Sequence, residues 1–223
     1  PPVVDALSWA LEEGCVFSIV GTVRQGEEVK DIKLLSRLGA NSMLLQGAIT
    51  DNYNWETITK YLEAIRDVGS IPGLATNQPF GTTEKLLESP VLDLFDIYMT
   101  PLNKLGYLMD TEVFMEKERL EFSKLMHKMD KKVIINRTLA AGILPPEDAF
   151  EFLKTATPNL FSPKTKEENT ALVEKQIAGL SRFTKEALVA YYEAMIGRPD
   201  RTAVLRQTRV PVLFIIGKSD NAV

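Results

Sequence analysis

The chain has 223 residues, 45% hydrophobic and 25% charged, with a formal net charge of −4 at pH 7. These proportions exclude a disordered, fibrous or collagen-like chain and supply enough apolar surface for a core, and the length suits one large α/β unit or one domain plus a fragment. No Lys/Arg block stands apart from mixed neighbours, so no footprint for nucleic acid or an anionic membrane is visible. The longest apolar runs, such as Val212 to Ile216, fall far short of the roughly 18 residues of a membrane span, and no basic, apolar leader opens the chain. A single Cys15 and a single His127 exclude an internal disulfide framework and the usual Cys/His zinc sites. The expectation is an unexported, cytoplasmic protein whose partner is a small molecule, with no nucleic acid, membrane or metal; its cofactor stays unknown.

In chain order, Asp5 to Glu13 reads as a helix and Cys15 to Val20 as a buried strand closed by Gly21. Val29 to Leu38 follows as a helix stopped by Gly39. Ser42 to Leu45 is a second strand. Asn54 to Val68 is a helix, with Trp55, Ile58, Leu62 and Ile65 at three- and four-residue steps and Gly69 ending it. The third strand, Ile71 to Ala75, precedes a helix around Thr83 to Leu87. The fourth, Asp96 to Met99, precedes a charged helix from about Thr111 to Lys128, and Lys132 to Ile135 is the fifth. Pro145 and Pro146 then open a helix over Glu147 to Lys154, where proline's missing N–H costs nothing.

Five such cycles at a spacing of roughly 25 to 35 residues predict an α/β fold of consecutive βα units around a parallel sheet, an incomplete TIM barrel. After Thr157 the texture changes. Pro158 to Pro163 reads as a turn-rich connector, followed by helices at about Lys166 to Leu180, at Thr184 to Met195 and near Pro199 without an intervening strand. Val210 to Ile216 is then the strongest strand signal, suited to the centre of a parallel sheet. The division expected is 1–157 as a barrel-like unit and 158–223 as cap helices plus one further central strand.

Two resemblances enter here. The stretch Phe183 to Met195, then Arg198-Pro-Asp-Arg201, then Val210-Pro-Val-Leu-Phe-Ile-Ile-Gly-Lys-Ser-Asp220, resembles the end of the cap and a late strand of the α/β-hydrolases. That resemblance implies Asp220 as the acid of a Ser-His-Asp triad. Gly-x-Ser-x-Gly, which exposes the nucleophile, is absent, and His127 precedes the acid rather than following it. A lone aspartate has no triad chemistry to perform. Residues 1–157 loosely resemble β/α-barrel enzymes of the aldo-keto reductase type. Leu35 to Gly47 is similar to the segment that delivers a catalytic histidine in that family, with Gln46 at that place, and Lys132 to Gly142 is similar to the late strand and loop that touch the cofactor phosphate. The family's tyrosine and lysine have no identifiable equivalents.

In parallel β/α proteins ligands sit at the carboxyl ends of the strands. Those ends carry Arg24, Gln46, Asp51, Asn77, Asn103, Lys104 and Arg137. The amides suit a polar ligand, and Arg24, Lys104 or Arg137 suits a carboxylate or phosphate. Lys104 is the candidate Schiff-base nucleophile, Asp51 the candidate general base and Asp220 the candidate triad acid. The plain alternative is that these residues serve loop geometry, as Asn, Asp and Thr do in turns. Phe80 to Thr83 offers backbone N–H groups to an anion at a helix start. His127 reads as a surface residue on a charged helix face.

Three readings follow: a small-molecule enzyme of β/α-barrel type with its reaction open, an α/β-hydrolase-like module lacking nucleophile and histidine, or a composite or fragment chain. Unclosed strand edges predict a homo-oligomer or pairing with a missing complementary segment.

Overall fold

The computed structural model describes residues 18–161 and 163–180, with 8, 9 and 12–14. The expected elements on Cys15, on 184–195 and on 210–216, and the candidate acid Asp220, lie outside the described residues. Five strands, β1 (Val20–Val23), β2 (Ser42–Leu45), β3 (Ile71–Ala75), β4 (Ile97–Pro101) and β5 (Lys132–Asn136), form one all-parallel sheet in the order 1-2-3-4-5. The helices between them are α1 (Glu28–Arg37), α2 (Gly47–Thr50), α3 (Trp55–Asp67), α4 (Pro79–Leu87) and α5 (Glu116–Met129). Three more follow β5: α6 (Pro146–Leu160), α7 (Pro163–Glu168) and α8 (Thr170–Leu180). The architecture is an α/β fold of consecutive βα units, and the sheet is open rather than a closed barrel.

Each strand alternates its side chains between two faces. Val23, Leu45, Leu74 and Tyr98 stand side by side in the register and share one core with Ile32, Ile58, Leu62, Leu86, Phe122 and Leu125 of the helices. In α3 the expected stripe is the buried one. Ile58, Leu62 and Ile65 are 0%, 1% and 0% exposed, and each such burial contributes about 1.5–3 kcal/mol. Asn54 starts this helix by accepting a hydrogen bond from Thr57 N–H at 3.0 Å. The opposite face of the sheet carries Thr22, Leu44, Gly73 and Ile97 in one row. It narrows at Gly73, where a Cβ would meet Leu44 Cγ at 2.8 Å and the Ile97 carbonyl at 2.9 Å.

Several boundaries differ from expectation. β1 runs Val20–Val23 with Gly21 inside it, because its pairing with Ser42–Leu45 sets the ladder four residues wide at that place. The charged helix starts at Glu116 rather than Thr111. Glu118 accepts from the Met115 N–H at 2.9 Å and fixes that start, leaving residues 102–115 as a loop. α4 starts at Pro79, where a proline fits the first turn. Residues Pro158 to Leu160 continue α6, and α7 begins at Pro163, in place of a turn-rich connector. His127 is half-buried rather than on the surface, with its Nε2 enclosed and without a hydrogen-bond partner, beside Lys132, Val133 and Ile135 of β5. Among the described residues no helix is long and apolar enough to cross a membrane.

Candidate functional site

The strand ends meet around the start of α4. Asp51, just after the short α2, accepts three hydrogen bonds there. Its Oδ1 takes the Thr76 hydroxyl at 2.6 Å and the Thr82 hydroxyl at 2.9 Å, and its Oδ2 takes the Asn77 N–H at 2.9 Å. Thr76 Oγ1 in turn accepts from Gln78 N–H at 2.9 Å. Tyr53 reaches the same group, its hydroxyl 3.1 Å from Thr82 Oγ1 and 3.2 Å from Gln78 Oε1. The Asn77 amide lies against the backbone of Gly47, where a Cβ would stand 2.5 Å from its side-chain nitrogen and 3.2 Å from its backbone nitrogen, so any larger residue at 47 displaces that amide.

The helix start holds an anion, as its sequence suggested, and the anion is the chain's own Asp110. Its two oxygens accept from Phe80 N–H at 3.1 Å and Gly81 N–H at 2.9 Å. Asp110 comes from the long loop 102–115 after β4, far beyond the 2–6 residues usual between a strand and its helix. Burial raises its pKa above the ordinary carboxylate range against the opposing pull of the two N–H groups, and repulsion from Asp51 and Glu84 adds to the rise. Below the cluster, Tyr98 is fully buried, its hydroxyl 2.9 Å from Thr83 Oγ1, and burial pushes its phenol well above the ordinary range. Tyr53, Leu108 and Asp110 all have left-handed backbones, at φ 57°, 54° and 43°. Each costs about 1–3 kcal/mol, and such strain gathers at ligand sites.

The other sequence candidates have different surroundings. Arg24 forks onto Asp31, with Nε to Oδ2 at 2.9 Å and Nη2 to Oδ1 at 2.7 Å, and this pairing holds Asp31 below its ordinary pKa. Lys104 is half-exposed and 3.8 Å from Asp148, a setting that provides little of the burial a Schiff-base lysine needs. Asn103 is fully buried and staples its own loop: Oδ1 accepts from Leu105 and Tyr107 N–H groups, and Nδ2 donates to the Tyr107 carbonyl. Arg137 is exposed on a left-handed backbone at φ 54°. Gln46 and Asn77 are exposed at the ends of β2 and β3. The cluster therefore joins Asp51 and Asn77 from the sequence candidates with Tyr53, Thr82 and Asp110, which sequence reasoning missed. The readable signal for Asp110 was the length of polar chain after β4, once α5 is started at its Glu118 box.

The chain matches no protein-family model, and no curated protein matches it.

Proposed function

We propose that the chain is a small-molecule enzyme of β/α type whose site lies at the C-terminal ends of β2 to β4, with Asp110 and Asp51 as its acid–base pair. Asp110 carries this reading: an exposed carboxyl held on the N–H groups of Phe80 and Gly81 by a left-handed backbone, with proton affinity raised by partial desolvation and by a second carboxylate. An upward shift brings a carboxyl nearer to working pH, where one group can both take and return a proton. The exposed amides of Gln46 and Asn77 supply hydrogen bonds for a polar substrate. Two carboxyls, Asp51 and Asp110, face this site while Arg24 and Lys104 lie against carboxylates of their own, so the ligand favoured beside the pair is neutral: a hydroxy-carbonyl compound, from which the pair moves a proton beside the carbonyl.

The test is exchange of such protons into deuterated water, followed by proton NMR with dihydroxyacetone and hydroxyacetone as probes. Exchange is expected to fall about 100-fold or more in Asp110→Asn, and bound probe to shift the amide signals of Thr76, Asn77 and Gly81. Equal exchange in the variant, or probe-dependent shifts confined to other parts of the sheet, would overturn the proposal.

A further inference from the structure

A cavity of about 360 Å³ lies between α5 and α6, away from the strand-end carboxylates. Its size is at the lower end of the ~300–1,000 Å³ typical of small-molecule sites. Three phenylalanines form one wall: Phe114 meets Phe122 and Phe152 edge to face, with centroids 6.4 and 6.3 Å apart. Leu102 and Leu120 extend the apolar lining. The cation in this wall is Arg119. Its guanidinium carbon stands 5.1 Å from the Phe152 centroid and 5.7 Å from that of Phe114. Its Nε–H is buried without a hydrogen-bond partner, and no carboxylate among the described residues pairs with it.

We infer that this cavity is a binding site for a small carboxylic acid with an apolar body, its carboxylate held by Arg119 and its chain or ring laid against Phe114, Phe122 and Phe152. A guanidinium fork accepts a carboxylate through two parallel N–H bonds. A turn of the side chain presents Nε–H with a terminal N–H to one carboxylate and gives the buried donor the acceptor it lacks. Cation–π contact with the Phe152 and Phe114 rings orients the fork, and burial of Nε strips that donor of water, which strengthens its pull on an anion. The apolar walls select against a bare inorganic anion. Glu116 also lines the cavity, on an exposed position, and opposes the same ligand by like charge.

The experiment is calorimetric titration of the full chain with hexanoate, hexanamide and acetate, paired with methyl NMR of Leu102 and Leu120. Hexanoate is expected to bind about tenfold or more tighter than either hexanamide or acetate and to shift both leucine signals. Arg119→Gln should reduce hexanoate to the affinity of the amide, and Glu116→Gln should tighten it. The comparison of acid with amide is made on the unaltered chain, so it decides the matter even where Arg119→Gln fails to fold. Equal affinity for hexanoate and hexanamide, no detectable hexanoate binding, or shifts that spare Leu102 and Leu120 would each overturn the inference.

Discussion

Replacing Asp51 by alanine removes the acceptor of three hydrogen bonds, but the three donors do not lose equally. Thr82 keeps Tyr53 at 3.1 Å. The Asn77 amide belongs to an exposed residue, where water takes over. Thr76 is 2% exposed and loses the 2.6 Å charged acceptor of its hydroxyl proton, keeping only the neutral Tyr98 hydroxyl beside it, while still accepting from Gln78. Loss of an acceptor by a buried donor costs about 1–3 kcal/mol, and bonds to a charged acceptor are the stronger kind. The expected loss is thus about 2–3 kcal/mol, against roughly 0.5 kcal/mol for an ordinary surface turn residue. In urea this lowers the unfolding midpoint by about 1 M at an unchanged slope. Thr76→Val removes the donor as well, so on that background Asp51→Ala should cost about 1 kcal/mol or less, a coupling typical of directly bonded partners. A midpoint shift below roughly 0.25 M in the single variant, or full additivity of the two, would refute this account of Asp51 as the tie between the ends of β2 and β3.

Other consequences are as direct. Gly73→Ala sets a Cβ 2.8 Å from Leu44 Cγ and 2.9 Å from the Ile97 carbonyl in the middle of the sheet; a destabilisation of about 1–3 kcal/mol is expected by thermal or urea unfolding, and a wild-type midpoint would count against the register. Asp31 has a depressed pKa, so its contribution to stability is complete above its ordinary 3.8 and is lost as pH falls through the folded value. Arg24→Met should accordingly flatten the acid limb of the stability curve, and an unchanged limb would mean that the fork onto Asp31 is not formed in solution. Asp110 has the opposite sign: the stability linked to its protonation is complete below 3.8 and is lost as pH rises through its raised folded value. β1 and β5 each pair on one side only within the described sheet, and unpaired edges associate. Light scattering should therefore report a species larger than one chain, and a monodisperse monomer would exclude that expectation.

The order of elements was legible because short apolar runs bounded by glycine or by helical periodicity leave little choice of type. Ser42–Leu45 and Ile71–Ala75 stand as read, and Lys132–Asn136 extends by one residue. Ser18 to Val23 was harder: alternation across a glycine fits more than one frame, and pairing with β2 makes the choice. Asp51 was legible as a strand-end acid since it follows its strand closely in sequence. Asp110 was not, because its partners are the N–H groups of Phe80 and Gly81, some thirty positions away, and no local pattern records a tertiary bond. The same reason hid Asp148 as the neighbour of Lys104, while Asp31, seven residues after Arg24, was overlooked beside a charge that drew attention.

The central claim is that burial and Asp51 together hold Asp110 as a carboxyl of raised proton affinity at the mouth of the sheet. Its titration by carboxyl ¹³C NMR in the full chain tests this most directly. The predicted midpoint lies above the ordinary 3.8 of an aspartate and moves down when Asp51 is replaced by asparagine. A midpoint at or below the ordinary value, or one indifferent to Asp51→Asn, would contradict the account.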